Sequence, residues 1–283
     1  MTAADAARRF WAAALVALCA AGFVAGAAQT TKPTALRSYC GFDKDGYPGD
    51  ALLPLLHRTF AFTGFWLNDP PGMTTNPWAG KRAIVRAAGF GFLILFNGRL
   101  DKELTHRDAA ALGRADGTEA VAAALREGFP AGAVIFLDQE EGGALLDEQA
   151  SYLGRWLAAV NASAYRAGVY ASGISVPAGR VRMSTAQDVE ARFPGVQLWV
   201  WDDRCPRSPG CVAPDASLSF ARSGFPQAVV WQYAQSPRRR KDTAACRRTY
   251  AADGRCYAPG LPHSEATHID LDVSSSADPS HGR

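Results

Sequence analysis

Eight short apolar runs punctuate the chain, at Ser38–Asp43, Phe60–Leu67, Gly91–Asn97, Ala133–Asp138, Gly168–Ala171, Val196–Asp202, Ala228–Tyr233 and His268–Val273. A run this short, closed by glycine or by carboxylates, reads as a strand buried on both faces. Between the early runs lie stretches of helical character: Asp50–His57, Pro77–Ala88, Asp116–Glu127, Asp147–Arg166 and Thr185–Phe193. Several begin at Asp or Thr, whose side chains accept from the free N–H groups of a first turn, and some end just before Gly. Eight such strands within roughly 240 residues predict an α/β protein with a single (β/α)8 TIM-type barrel. The helical period fades over 203–226 and 234–267, which are rich in Pro, Gly, Cys and basic residues, so the last units are expected to be irregular. A doubly wound open sheet is the runner-up, but no Gly-rich phosphate loop follows the first strand.

The N-terminus has a different character. Arg8 and Arg9 precede an apolar run from Phe10 to Val24 and the small residues Ala25-Gly26-Ala27-Ala28. Charge, a short greasy segment and a small-residue site, in that order, predict a signal peptide over 1–27, with an uncleaved anchor as the alternative. The protein is then secreted or held in the cell envelope, exported by Sec or, given Arg8-Arg9-Phe10, by the twin-arginine route. No stable membrane insertion is expected after cleavage. Residues 28–37 read as a linker, 38–274 as the barrel and 275–283 as a flexible tail.

Removing 1–27 takes away Arg8, Arg9 and Asp5, so the net charge of +3 falls to about +2. That is too small to imply a nucleic-acid partner. Export permits disulfides. Cys205 and Cys211 bracket one loop and Cys246 and Cys256 another, so local pairing is the simplest of three connectivities, leaving Cys40 free. No CxxC is present and the five histidines do not cluster, so no metal and no cofactor are expected.

Candidate chemistry lies where strands end, because a barrel gathers its catalytic groups at that face. The fourth strand ends in Leu137-Asp138-Gln139-Glu140-Glu141. Side chains two apart share a face, so Asp138 and Glu140 stand together, and ionising one raises the pKa of the other. Asp43 ends the first strand, Asp202 and Asp203 the sixth, and Asp270 and Asp272 lie in the last. Aromatic residues accompany them: Trp66, Tyr170, Trp199, Trp201, Trp231 and Tyr233. Acids in a cleft walled by rings suit a carbohydrate, whose C–H faces stack on aromatics while carboxylates bind hydroxyls.

The ordered set Gly41-Phe42-Asp43, Leu137-Asp138-Gln139-Glu140, Leu198-Trp199-Val200-Trp201, Trp231-Gln232-Tyr233 and Ile269-Asp270-Leu271-Asp272 resembles the family 25 glycoside hydrolases. Those are lysozyme-like muramidases that cleave peptidoglycan. The details look closer to a relative, the glycoside-hydrolase-like domain of unknown function in exported actinobacterial proteins. Its pattern is approximated by Ala115-Asp116-Gly117-Thr118-Glu119-Ala120 and by Gly128-Phe129-Pro130-Ala131-Gly132-Ala133-Val134-Ile135. The resemblance implies Glu140 as general acid, Asp138 and Asp43 as supporting carboxylates, and Asp270 as an orienting or charge-stabilising group. Asp272 stands where the pattern commonly has Asn, and with the six aromatics it is read as substrate-binding. The implied partner is a cell-wall glycan or other polysaccharide.

Three functions follow in order of expectation: an exported glycosidase, a catalytically inactive glycan-binding barrel with a cell-wall or regulatory role, and a metal-dependent deacetylase or phosphodiesterase. The third needs His ligands at strand ends, and only His268 is placed for it. Glu141 is expected in a solvated loop, Asp202-Asp203 in a local ion pair with Arg204, and Arg238-Arg239-Arg240-Lys241 in a solvated basic loop.

Overall fold

The computed structural model describes residues 38–214 and 218–283. The signal and linker expectations for 1–37 therefore lie outside the described residues. The chain runs β1 (Tyr39–Asp43), α1 (Leu53–Leu56), β2 (Phe62–Trp66), α2 (Arg82–Ala87), β3 (Gly91–Asn97), α3 (Asp101–Leu104), α4 (Ala109–Glu127) and β4 (Val134–Gln139). It continues with α5 (Asp147–Asn161), β5 (Arg166–Ser172), the hairpin β6 (Val176–Ala178) and β7 (Val181–Met183), α6 (Thr185–Arg192), β8 (Gln197–Trp201), β9 (Ala228–Ala234) and β10 (Asp270–Ser274). Eight strands close a barrel in the order β1-β10-β9-β8-β5-β4-β3-β2. Every one of the eight apolar runs is a barrel strand. The hairpin is an addition that the apolar pattern did not announce.

Seven strands are parallel, but β10 runs antiparallel to both β1 and β9. The physical cause lies in the connection before it. Returning the chain for another parallel strand takes a crossover, usually a helix. Residues 235–269 contain no α-helix, only a 3-10 turn at Ala244–Thr249, and they stay at the mouth of the barrel. The chain then enters β10 from the top. Asp270, at the start of β10, consequently pairs in register with Asp43, at the end of β1.

Cystines hold this mouth-side region together. The bonds are Cys205–Cys246 and Cys211–Cys256, not the local pairs expected from spacing, and they tie the loop after β8 to the loop after β9. Cys40 is free. A local bond would staple each loop to itself, whereas the crossed pattern staples each to its neighbour.

The last nine residues differ from the expected flexible tail. Because β10 descends, the chain leaves the barrel at its floor and folds beneath it. Ser280 is fully buried: its N–H donates to Phe92 O at 2.9 Å, its carbonyl accepts from Val134 N at 2.9 Å, and its Oγ accepts from Ile94 N at 2.9 Å. Arg82 Nη2 donates to Gly282 O at 2.8 Å. These bonds occupy the free amides at the bottoms of β3 and β4, which buried backbone requires.

Outside the barrel, α4 and α5 pack closely. Asp108 caps α4 by accepting from Ala111 N at 2.9 Å, so the helix begins at Ala109, seven residues before the start expected at Asp116. A Cβ at Gly113 would meet Tyr152 O at 2.2 Å, so glycine is what lets the two helices approach. Among the described residues no helix is long and apolar enough to cross a membrane.

Candidate active site

Carboxylates converge at the barrel mouth. Asp43 from β1, Asp138 from β4 and Asp270 from β10 line a cavity of about 240 Å³ together with Glu140, just beyond β4, and Asp45, just beyond β1. Trp66, Tyr170 and Trp199 form walls, and Gln232 and Gln235 add amides. Gly64 makes the room: a Cβ there would lie 2.7 Å from the Cβ of Asp43. Asp138 and Glu140 stand on the same side, as the two-residue strand period requires.

A hydrogen-bond relay fixes the floor. Tyr170 Oη donates to Gln232 Oε1 at 2.7 Å, and Gln232 Nε2 donates to Asp43 Oδ1 at 2.8 Å and more weakly to Asp270 Oδ2 at 3.4 Å. Ser236 N holds the other oxygen of Asp270 at 2.6 Å. Beneath, Trp199 Nε1 donates to Asp272 Oδ1 at 3.0 Å. The other oxygen of Asp272 is buried and has no hydrogen-bond partner among the described residues. Asp138 Oδ1 is likewise buried and has no hydrogen-bond partner among the described residues.

Burial governs the acidity here. Asp43 is pushed up to about 6 by desolvation, opposed by the neighbouring Asp272 and by the bond from Gln232. Asp138 is raised well above the usual carboxylate range by burial and then by the charges of Glu140, Asp45 and Asp43. Asp270 and Asp272 rise for the same reasons, with Asp43 the main neighbouring charge. Glu140 keeps solvent contact at the rim; crowding by the walls, then the charges of Asp45 and Glu141, raise it more gently. A carboxylic acid that stays protonated toward neutral pH and is open to a ligand can donate a proton.

The mouth is a groove rather than a pit. Two further depressions adjoin the central cavity, one of about 330 Å³ beside Trp201, Ser172 and Arg239, the other of about 280 Å³ beside Asn97, Arg99 and Lys102. Glu140 borders all three.

The chain belongs to the Rv2525c-like, glycoside hydrolase-like domain family. The family model matches residues 68–249. Similar solved structures include an uncharacterized protein of B. stearothermophilus, 19% identical at TM-score 0.50, covering 83% of this chain and 95% of that one. The Tat-secreted protein Rv2525c of Mycobacterium tuberculosis, in complex with HEPES, is 12% identical at TM-score 0.48, covering 84% and 94%. A family 25 glycosyl hydrolase from Bacillus anthracis is 10% identical at TM-score 0.48, covering 85% and 90%. No curated protein sequence matches the chain.

Not every residue nominated from sequence reaches the cavity. Trp231 and Tyr233 are fully buried on the other side of β9, where Trp231 Nε1 donates to Asp202 O at 2.9 Å and Tyr233 Oη to Val212 O at 2.9 Å. Alternation along β9 makes Gln232, between them, the inward residue. Asp272 lies one layer below the cavity, and Trp201 lines the side depression instead of the centre. Glu141 accepts from Asp101 N at 2.7 Å and from Gln149 Nε2 at 2.6 Å, a structural fastening between α3 and α5. Asp202 is bound by Arg204 and Arg207, as an ion pair. His268 faces Arg255 and Glu265, away from the carboxylates.

Sequence reasoning missed Asp45, Gln232, Gln235 and Arg239. For Asp45 the signal was present: it follows Asp43 by two, the same spacing that placed Glu140 beside Asp138.

Proposed function

We propose that the protein is an exported glycoside hydrolase acting on peptidoglycan or a related cell-envelope glycan, with Glu140 as its general acid. The observation that carries this reading is the position of Glu140, the one acid shared by the central cavity and both side depressions. A glycan laid along the groove would present a linkage to that carboxyl. Its raised pKa suits protonation of the departing glycosidic oxygen.

Charge then develops on the sugar ring as an oxocarbenium-like centre. Asp43, which ionises above about pH 6, lies below it in a low-dielectric floor, where a carboxylate stabilises positive charge strongly. Asp138 has a free oxygen to meet the substrate. With an N-acetylated sugar, the acetamido carbonyl attacks as an internal nucleophile while Asp138 steadies its N–H. Gln232 holds Asp43 and Asp270 apart in fixed orientations, so both act as positioned groups rather than free ones. Trp66 and Tyr170 supply ring faces and edges for the sugar, with Trp199 packed beneath them, and Trp201 supplies one in the adjoining depression.

Export is supported by the Arg8-Arg9 leader pattern and by two cystines, which persist outside reducing compartments. The test is release of new reducing ends from purified peptidoglycan by the wild type, set against Glu140→Gln.

A further inference from the structure

Charge is segregated along the groove. Among the described residues the central cavity is lined by five carboxyl groups and no Lys or Arg. The depression beside Asn97 is close to balanced: Arg99 is bound by Asp116 at 2.6 and 2.8 Å, and Lys102 stands beside Glu103. The depression beside Trp201 is lined, among the described residues, by one cation, Arg239, and by Glu140 at its inner edge; the Arg239 guanidinium lies 4.4 Å from the centre of the Trp201 ring. Arg239 is seated from behind by Asp203, which is fully buried, at 3.7 Å, and from the side by Asp242 at 2.9 Å.

Arg239 also belongs to the most basic segment of the chain. Residues 235–255 hold seven Arg or Lys against two Asp, a net of +5. Arg240, Lys241, Arg247 and Arg248 are exposed, and none makes an ion pair among the described residues. The two cystines anchor this segment beside the mouth, at Cys246 and Cys256. A solvated basic loop has no need of such anchoring, nor of one arginine turned inward onto a tryptophan in the groove.

We infer that the Trp201–Arg239 depression is a subsite for an anionic substituent, so that the preferred substrate is an acidic glycan carrying carboxylate or phosphate groups. This rests on the glycan reading of the groove and names the substrate class. The sugar ring packs at Trp201, its anionic substituent accepts from the Arg239 guanidinium, and the basic segment draws the polymer in. The acids of the centre offer no cation to the same substituent and repel it where they ionise. Opposite signs at neighbouring positions therefore fix which sugar stands at Glu140.

The matched probes are chitohexaose, which is neutral, and its O-carboxymethyl derivative, both measured by calorimetry on full-length Glu140→Gln so that nothing is turned over. The carboxymethyl oligomer is expected to bind about tenfold more tightly at low salt, an advantage that shrinks toward about 0.5 M salt. Arg239→Gln removes the advantage, so that the two oligomers bind equally to the variant. The double variant Arg240→Ser/Lys241→Ser, confined to exposed side chains, lowers the salt dependence and keeps part of the preference. Equal affinity for the two oligomers, no binding of either, or a preference that survives Arg239→Gln overturns the inference. So does equally tight, Arg239-dependent binding to phosphatidylglycerol vesicles, which would make the segment a membrane contact. Since binding is read without turnover, failure of the glycosidase reading shows separately, as inactivity of the wild type.

Discussion

Gln232 donates a 2.8 Å hydrogen bond to Asp43, linking β9 to β1 across the intervening antiparallel strand β10. One amide thereby joins the first and the penultimate strands of the barrel, and it is held in turn by Tyr170 from β5. The position between two aromatics on β9 is thus the polar one that the cavity uses.

Replacing Gln232 with Leu strips a donor from buried Asp43 and an acceptor from buried Tyr170. Unsatisfied buried groups cost roughly 1–3 kcal/mol each, so Gln232→Leu is expected to lower unfolding free energy by about 2–4 kcal/mol in urea melts. Asp43, deprived of a bond that favours its ionised form, titrates above its present value of about 6. Carboxyl-carbon NMR on labelled aspartate reads that shift; an unchanged titration would show that the amide does not act on Asp43.

Stability should fall as pH rises through the mildly acidic range. Asp43 and Asp203 both reach about 6 in the folded protein, from an ordinary value of 3.8, and burial is the largest cause for each. The folded state therefore holds protons that the unfolded state has already lost, and each group's contribution declines between about pH 4 and 6. Two units correspond to about 3 kcal/mol per group as an order of magnitude. Urea midpoints at pH 5 are expected to exceed those at pH 7. A midpoint that climbs from pH 5 to 7 contradicts the burial account.

Peptide mapping without reduction should recover Cys205 linked to Cys246 and Cys211 linked to Cys256. Each bond spans more than forty residues, for which chain entropy gives about 4 kcal/mol of stabilisation. Reductant should lower the melting temperature and increase proteolysis within 203–256 before the rest of the barrel is cut.

Truncation after Ser275 removes the floor segment and frees the amides of Ile94 and Val134 along with the Phe92 carbonyl and the Arg82 side chain. A loss of several kcal/mol is expected, far more than for a loose tail. Equal denaturant midpoints for the full and truncated chains would refute the packing role of Ser280.

All eight strands were legible because each is an apolar run cut off by Gly, Pro or acid, and burial on both faces leaves no other reading. Helices were located, with errors at their ends: α4 starts at its Asp108 cap because Gly113 and Gly117 are spaced for contact with α5, a tertiary reason that local pattern does not carry. The direction of β10 was not legible, since it depends on what 235–269 fails to do. Cystine pairing follows from that same mouth-side path. At the site, Asp43, Asp138, Glu140 and Asp270 came together because strand ends collect at one face. Trp231 and Tyr233 did not, because the strand period places either the two rings or the amide between them inside, and the amide of Gln232 is the one that faces the cavity.

The most direct measurement is release of reducing ends from purified peptidoglycan by the wild type and by Glu140→Gln, with thermal melts to confirm equal folding. Release by the wild type is expected, with a loss of at least about a hundredfold in the variant, the usual scale of a general acid. Wild-type rates in Glu140→Gln, or no release by either protein, would contradict it.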